Sequence, residues 1–280
     1  MTWHLTSDVE TFAATAGTFL SSSPVRHTVL LTVVAALRFK GPHAYGESDP
    51  ILGWWTTPSG EVSGALVRTP PYPLTLTGTP PEAVPAAAEA LATTPLTAVN
   101  LPAEAVPAFI EAWTSLVGGT ARLGRRTRLF RLERLTPPAE FPPGTARLAT
   151  AADRPLLLDW FQAFHDYIGE QPPDLTALVD DRIESRGVTL WERDGTPVSM
   201  AARSRPEAGM TRIQFVYTPP PHRRHGYGAA ATTEATRYAL DAGATEVVLF
   251  TDLANPASNA LYPRLGYRPT EDRAVVEFSP

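Results

Sequence analysis

One loop constrains this chain more than any other stretch, because it joins a strand to a helix through prolines, basic residues and glycines. A predicted strand ends at Tyr217, and Thr218 and three prolines lead into residues 222–229, which read His-Arg-Arg-His-Gly-Tyr-Gly-Ala. The first N–H groups of a helix have no internal acceptor, and the helix dipole adds positive charge there. Glycine lets an anion approach the backbone closely. The composition therefore predicts a cradle for phosphate or pyrophosphate.

This loop and a later stretch resemble two motifs of the GNAT superfamily of N-acetyltransferases. Arg223-x-x-Gly226-x-Gly228 is similar to the loop that holds the pyrophosphate of coenzyme A, and Asn255 followed by Tyr262 is similar to the family's later helix. The motifs stand in the family's order, with a helix and a strand between them. The resemblance covers roughly the C-terminal half. It implies the acyl-CoA N-acyltransferase fold, an α/β (α+β) fold with a mixed central β-sheet flanked by helices.

The resemblance also implies a role for each motif residue. The expected binding residues for acetyl-CoA, which serves as cosubstrate, are Val216, Tyr217, Thr218, Arg223, Arg224, His225, Gly226, Tyr227, Gly228, Ala229 and Asn255. A backbone N–H near Val216 is expected to meet the thioester carbonyl and stabilise developing oxyanion charge. Tyr262 is the expected catalytic general acid for the departing thiolate, with simple packing as the alternative. Asn255 also suits a helix N-cap, so capping and cofactor contact are both open.

The attacking amine must arrive neutral, although an amine of the lysine type has a pKa of about 10.4. A base or a chain of ordered water is therefore needed. Candidates on the helices expected to border the acceptor cleft are Glu170, Asp166, His165 and Glu184. Each is also typical of a solvated surface residue.

The composition excludes several classes of protein. The chain has no cysteine, which rules out disulfides, thiolate metal sites and cysteine nucleophiles, so direct transfer is expected. A net charge of -5 argues against nucleic acid as a partner. The longest apolar stretch is too short for a bilayer and no signal peptide is seen, which predicts a cytoplasmic protein without a membrane partner. No carboxylate lies at ligand spacing from His222 and His225, so no metal is expected.

A proline-rich segment divides the chain into two predicted domains. Residues 137–144 hold four prolines and a glycine, which predicts a linker between domains at 1–136 and 145–280. The stretch from Trp55 to Ala65 echoes that from Trp191 to Ala201, and the predicted elements recur in nearly the same order. We therefore expect two tandem copies.

The first copy is expected to keep the fold without the cofactor site. The counterpart of the anion loop, residues 76–83, has one glycine, no arginine and Glu82, which would repel a pyrophosphate. A run of arginines at 125–134 predicts a solvated strand face, with an anionic partner as the minority interpretation.

The whole chain predicts an N-acetyltransferase that moves an acetyl group from acetyl-CoA to a primary amine of a small acceptor, in a ternary complex. The alternative is a non-catalytic acyl-CoA-binding regulatory module. We expect a monomer, because a tandem copy can supply the contacts that single-domain relatives make by dimerising.

Overall fold

The chain folds into two compact α/β units, each built around a β-sheet. The computed structural model describes residues 1–169 and 175–280. Unit 1 comprises Met1–Leu129, Asp252–Ala254 and Thr270–Pro280, and unit 2 comprises Phe130–Thr251 and Asn255–Pro269.

The two halves of the sequence repeat one order of elements. The first half contains β1 (Thr2–Thr6), α1 (Val9–Ser22), α2 (Thr28–Lys40), β2 (Ile51–Thr56), β3 (Val62–Arg68), β4 (Leu74–Leu76), α3 (Ala83–Leu91), β5 (Ala98–Pro102), α4 (Val106–Val117) and β6 (Thr120–Leu132). The second half contains β7 (Thr145–Leu148), α5 (Arg154–Ile168), α6 (Leu175–Glu184), β8 (Val188–Arg193), β9 (Thr196–Arg203), β10 (Met210–Tyr217), α7 (Tyr227–Asp241), β11 (Glu246–Asp252), α8 (Pro256–Arg264) and β12 (Tyr267–Ser279). The repeat agrees with the predicted tandem copies.

Unit 1 has the strand order β1-β2-β3-β4-β5-β12-β6. Strands β4 and β5 run parallel, whereas β5 and β12 run antiparallel, so the sheet is mixed. Helices α1 and α2 cover one face with Phe12 and Leu30, and α3 and α4 cover the other with Leu91 and Phe109. Helices therefore lie on both faces of the sheet, as predicted.

Unit 2 repeats this plan with the strand order β7-β8-β9-β10-β11-β6-β12. Strands β10 and β11 form its parallel pair. Phe161 of α5 and Val179 of α6 pack on one face, and Ala230 of α7 and Tyr262 of α8 pack on the other. The predicted mixed sheet with flanking helices is confirmed in both halves.

The compact units and the predicted domains differ at two long strands. Strands β6 and β12 are 13 residues each, and each contributes residues to both units. Residues 270–280 thus complete the sheet of unit 1, although they come last in the sequence. The predicted linker 137–144 falls within unit 2. A hydrophobic pattern indicates that a strand is covered, but it carries no information on which strand lies beside it.

The echoed strand pairs adopt the same irregularity in both halves. The register of β2 against β3 shifts between Trp55 and Thr56, and that of β8 against β9 shifts between Trp191 and Glu192. The short strand β1 was not predicted, because Trp3 is its single buried residue and five residues give little alternation. Among the described residues, no helix combines the length and apolar character needed to span a membrane.

Candidate active site

The strand β10 is interrupted by a bulge before it ends. It pairs with β11 from Met210 to Ile213, and its register against β9 shifts between Gln214 and Tyr217. Phe215 lies in this interval with a φ of 49°. A bulge turns backbone groups out of the regular ladder. It therefore lies where the sequence predicts an N–H donor for a thioester carbonyl, near Val216.

Side chains brace the loop that follows β10. The Ser199 hydroxyl donates to the Tyr217 carbonyl at 3.0 Å, so its oxygen accepts from the Thr218 hydroxyl at 2.8 Å. Nε of Arg223 donates to the Thr218 carbonyl at 3.0 Å. The guanidinium of Arg223 also lies 5.5 Å from the centre of the Tyr167 ring. Arg223, although exposed, thus holds the shape of the loop, and the exposed Arg224 adds a second positive charge.

Helix α7 begins with a glycine and no capping side chain. Gly226 has a φ of 82°, a left-handed conformation that glycine adopts at no steric cost. The first helical hydrogen bond runs from the Ala230 N–H to the Gly226 carbonyl, so the N–H groups of residues 227–229 are left at the helix end. The exposed Arg224 precedes them. This arrangement has the donors and the positive charge that an anion site requires.

The other loop residues serve mainly to place the helix. The His225 ring stacks on Tyr227 with centres 5.6 Å apart, and Tyr227 itself is buried. A Cβ at Gly228 would lie 3.4 Å from Oγ1 of Thr218, an ordinary contact distance, so the first turn of α7 lies close to the end of β10. Ala229 is half-buried in the first turn. Among the described residues, no group of three His, Asp or Glu side chains could hold a metal ion.

The predicted linker forms one wall of a cavity beside the start of α7. The cavity has a volume of about 330 Å³ and is lined by linker residues and by His225, Gly226 and Ala229. Phe141 of the linker stacks on Trp191 with ring centres 5.7 Å apart. Sequence reasoning missed this wall, because a proline-rich composition predicts a connection but not the surface against which it packs.

Helix α8 carries the second motif. Oδ1 of Asn255 accepts from the Ser258 N–H at 3.1 Å, so Asn255 is the N-cap, and its NH₂ group remains a donor for another partner. The Tyr262 side chain is buried between Phe130 and Tyr267, with ring centres 6.4 and 6.0 Å away. No described residue hydrogen-bonds to the Tyr262 hydroxyl. The packing role of Tyr262 is thus compatible with a free hydroxyl.

Burial raises the pKa of Tyr262 above its ordinary value. The phenol therefore stays neutral throughout the working range of pH. Complete proton transfer from such a phenol to a thiolate, whose pKa is about 8.5 in a free thiol, is uphill. A hydrogen bond from the neutral phenol to a thiolate carries no such penalty, so the environment of Tyr262 favours a donor over a full acid.

The candidates for the general base differ in burial and in the side chains that they contact. Glu170 lies outside the described residues. Asp166 and Glu184 are exposed, and each already contacts a neighbouring polar side chain. His165 is buried, and its ring centre lies 5.6 Å from that of Phe215 in the bulge. Of the three described candidates, His165 is the one that packs against the bulge of β10.

The corresponding loop of unit 1 has a different chemistry. Glu82 precedes α3, and the N–H groups of Ala83 and Val84 already donate to carbonyls of the preceding prolines. A Cβ at Gly78 would come within 2.7 Å of the Arg26 side chain, so Arg26 covers the single glycine. Helix α4 has no capping side chain at its start and contains no tyrosine.

The arginine run of β6 faces carboxylates. Three of its members form ion pairs, which join Arg125 to Asp252, Arg128 to Asp272 and Arg131 to Glu246, and the preceding Arg122 pairs with Glu277. The run is therefore partly neutralised by neighbouring acidic residues, in keeping with the predicted solvated face.

Comparison with known proteins now identifies the domain that carries both motifs. The model of the acetyltransferase (GNAT) family matches residues 154–267. Residues 154–267 are a GNAT domain. The matched range includes the loop at Arg223 to Gly228 and the helix with Tyr262. No curated protein matches the sequence significantly.

Solved structures extend the GNAT fold over both halves. A GCN5-related N-acetyltransferase from Kribbella flavida is 23% identical, with a TM-score of 0.54, over 90% of this chain and 96% of that chain. A GNAT acetyltransferase from Colwellia psychrerythraea is 12% identical, with a TM-score of 0.59, over 100% of both chains. A tandem GNAT protein from the clavulanic acid biosynthesis pathway is 14% identical, with a TM-score of 0.57, over 99% of both. At these identities the likeness establishes a shared fold, that of tandem GNAT proteins.

Proposed function

We propose that unit 2 binds acetyl-CoA and transfers its acetyl group to a primary amine of a small acceptor by direct attack in a ternary complex. One observation carries the proposal: a single GNAT domain combines the bulged end of β10, the uncapped start of α7 and the helix with Asn255 and Tyr262. The family match supports acyl transfer in general. The acetyl group and the amine acceptor are our extension of it.

The pyrophosphate of the cosubstrate would be held at the start of α7. The N–H groups of residues 227–229 and the charge of Arg224 provide donors there, and Arg223 keeps the loop in shape. The NH₂ group of Asn255 is a further donor on the adjacent helix. Each of these groups favours an anionic or carbonyl-rich ligand.

The reacting groups would lie at the gap where the parallel pairing of β10 with β11 ends. A backbone N–H of the bulge near Val216 stabilises the negative charge that develops on the thioester oxygen. The neutral phenol of Tyr262 donates a hydrogen bond to the sulfur as the carbon–sulfur bond breaks. The amine loses a proton to a base or to water, and His165 is the best placed of the described candidates.

Calorimetric titration with acetyl-CoA tests the binding half of this proposal. We expect one site per chain in the native protein and a Kd at least tenfold weaker in Arg224→Glu, since the reversal adds a negative charge at the anion site. Arg134→Glu is the control, because Arg134 is also exposed and lies outside the loop.

The same titration, combined with an acyl-transfer assay on small amines, separates the alternatives. Binding with turnover supports an enzyme, and binding without turnover on any amine supports the regulatory module. No binding would reject both. We also propose a cytoplasmic monomer that requires no metal, nucleic acid or membrane, and sedimentation equilibrium checks its mass.

A further inference from the structure

The gap between β4 and β5 in unit 1 is occupied by a side chain of the protein itself. These strands pair as far as Thr75 and Asn100, and Pro102 has no N–H with which to extend the ladder. Arg273 of β12 lies opposite Pro102 in the antiparallel register. It is only 3% exposed, so a full guanidinium is buried where the parallel ladder stops.

Four oxygen contacts surround this guanidinium. Nη2 donates to the Leu76 carbonyl at 2.6 Å and to the Asn100 carbonyl at 3.1 Å. Nε donates to Oδ1 of Asn100 at 3.1 Å, and Nη1 donates to Oε1 of Glu271 at 2.8 Å. The planar, forked array of donors in a guanidinium matches such a set of acceptors, whereas an ammonium presents a single point of charge.

The carboxylates of Glu271 and Glu104 balance the charge of Arg273. Burial lowers the pKa of Arg273, but the charges of Glu271 and Glu104 oppose the shift, and an arginine remains a cation. Oε2 of Glu271 is buried without a hydrogen-bond partner among the described residues. Nε of Arg26 lies 3.5 Å from this oxygen, within ion-pair distance. The gap therefore holds more acceptor capacity than Arg273 alone satisfies.

This chemistry is the reverse of what an acyl-CoA needs. A thioester carbonyl and phosphates accept hydrogen bonds, so their site must present donors. The gap of unit 1 presents two carbonyls, an amide oxygen and a carboxylate. An anionic or carbonyl-bearing ligand would meet acceptors there and lose its hydration without compensation.

We propose that the gap between β4 and β5 is a guanidinium-binding site, filled in the native chain by Arg273, and that its acceptor chemistry excludes acyl-CoA from unit 1. The statement about acyl-CoA rests on the proposed function of unit 2. The guanidinium site itself stands on the contacts of Arg273 alone.

Chemical rescue of Arg273→Ala in the full chain tests the site. We expect the variant to lose about 10 °C in Tm, because a buried charge network is broken. Millimolar ethylguanidinium should then restore part of the loss with saturation, while ethylammonium at the same concentration should restore less. Arg128→Ala is the control, since Arg128 pairs with Asp272 in a partly exposed position. No saturable rise in Tm, or an equal rise in the control, would overturn the proposal.

A second pair of variants tests the site without deleting Arg273, in case Arg273→Ala does not fold. Glu271→Gln removes the buried counter-charge, and the adjacent Asp272→Asn removes a partly exposed one. We expect a clearly larger fall in Tm for Glu271→Gln, because the guanidinium stays buried and loses its ion pair. Equal falls would show that the gap does not depend on its charge, which contradicts the proposal.

The number of acetyl-CoA sites per chain tests the proposal that acyl-CoA is excluded from unit 1. We expect one site per chain in the native protein and in Arg273→Ala, because removing Arg273 leaves its hydrogen-bond acceptors unpaired and adds no donor. A second site in either protein overturns the exclusion. Absence of any site would reject the proposed function of unit 2 instead, and the guanidinium rescue would still decide on the gap of unit 1.

Discussion

In each unit, the pairing of two parallel strands ends in a gap. The polar groups at the two gaps are of opposite kinds, with hydrogen-bond donors in unit 2 and acceptors in unit 1. In unit 2, the bulge at Phe215 and the start of α7 at Gly226 leave backbone donors at the end of β10. In unit 1, Arg273 binds the carbonyls at the end of β4, and the first N–H groups of α3 are already used. The fold thus provides the same location in both units, and in unit 1 a side chain of the protein occupies it.

The two units keep one architecture although their chemistry at this point differs. Trp55 of unit 1 and Trp191 of unit 2 lie at equivalent register shifts. Each unit also has an apolar core on each face of its sheet. Polar groups at the strand ends, such as Arg273, differ between the units. The energy that maintains the fold comes mainly from apolar burial, which such polar changes leave intact.

The largest expected effect concerns Tyr262, a residue type that α4 of unit 1 does not contain. Tyr262→Phe should lower kcat about 100- to 1,000-fold, since it removes a donor to developing charge, and should leave Tm unchanged because the ring contacts remain. Tyr267→Phe is the control, as it loses a buried hydrogen bond to Thr236. It should lower stability by about 1 kcal/mol without changing kcat. Equal kcat values for both variants would contradict the role of Tyr262.

The next prediction concerns the pH dependence of stability, which should differ between the two units. Burial, followed by the charges of Arg26 and Arg273, lowers the pKa of His27 from 6.5 to about 4. Below pH 6.5 the unfolded chain therefore takes up a proton that the folded chain refuses, and stability falls until about pH 4. The loss should approach roughly 3 kcal/mol, and urea unfolding at pH 7, 5.5 and 4 measures it.

His27→Gln should flatten this acid dependence, because it removes the titrating group. Unit 2 should respond at lower pH, since hydrogen bonds from Arg147 hold the pKa of Asp153 near 2, below its usual 3.8. The stability that this carboxylate provides is present above pH 3.8 and is lost as the pH falls towards 2. An unchanged slope between pH 6.5 and 4 in the His27 variant would contradict the assignment to unit 1.

A smaller effect distinguishes the two arginines of the loop. Arg224→Ala should weaken acetyl-CoA binding about tenfold with little change in Tm, because its exposed side chain serves the ligand. Arg223→Ala should lower Tm as well, since Arg223 holds the Thr218 carbonyl. Titration of both variants at two salt concentrations measures the difference. Equal losses of binding and stability would contradict the division of roles.

The smallest effect concerns the linker wall. Phe141→Ala removes the ring stacked on Trp191 and should cost about 1 kcal/mol of stability, with a KM for acetyl-CoA changed only a few-fold. Pro138→Ala is a control in the same wall that leaves the stack in place. A large rise in KM for Phe141→Ala alone would show that the linker contacts the cosubstrate directly.

Much of the architecture follows from local sequence patterns. The bounds of β10, the start of α8 and the mixed sheet with helices on both faces were all predictable, because periodicity, proline positions and caps act within a few residues. The anion loop and Tyr262 were recognisable for the same reason, since both motifs lie in short continuous stretches. The assignment of these residues to catalysis stays a prediction.

Tertiary structure alone decided the rest. It placed Arg273 in the gap of unit 1, 197 residues along the chain from Leu76, whose carbonyl it binds. It engaged Arg223 within the loop, buried Tyr262 and brought the linker against the start of α7. The physical reason is range: caps and periodicity are written in neighbouring residues, whereas the partner of a buried charge and the solvation of a phenol depend on which distant strands meet.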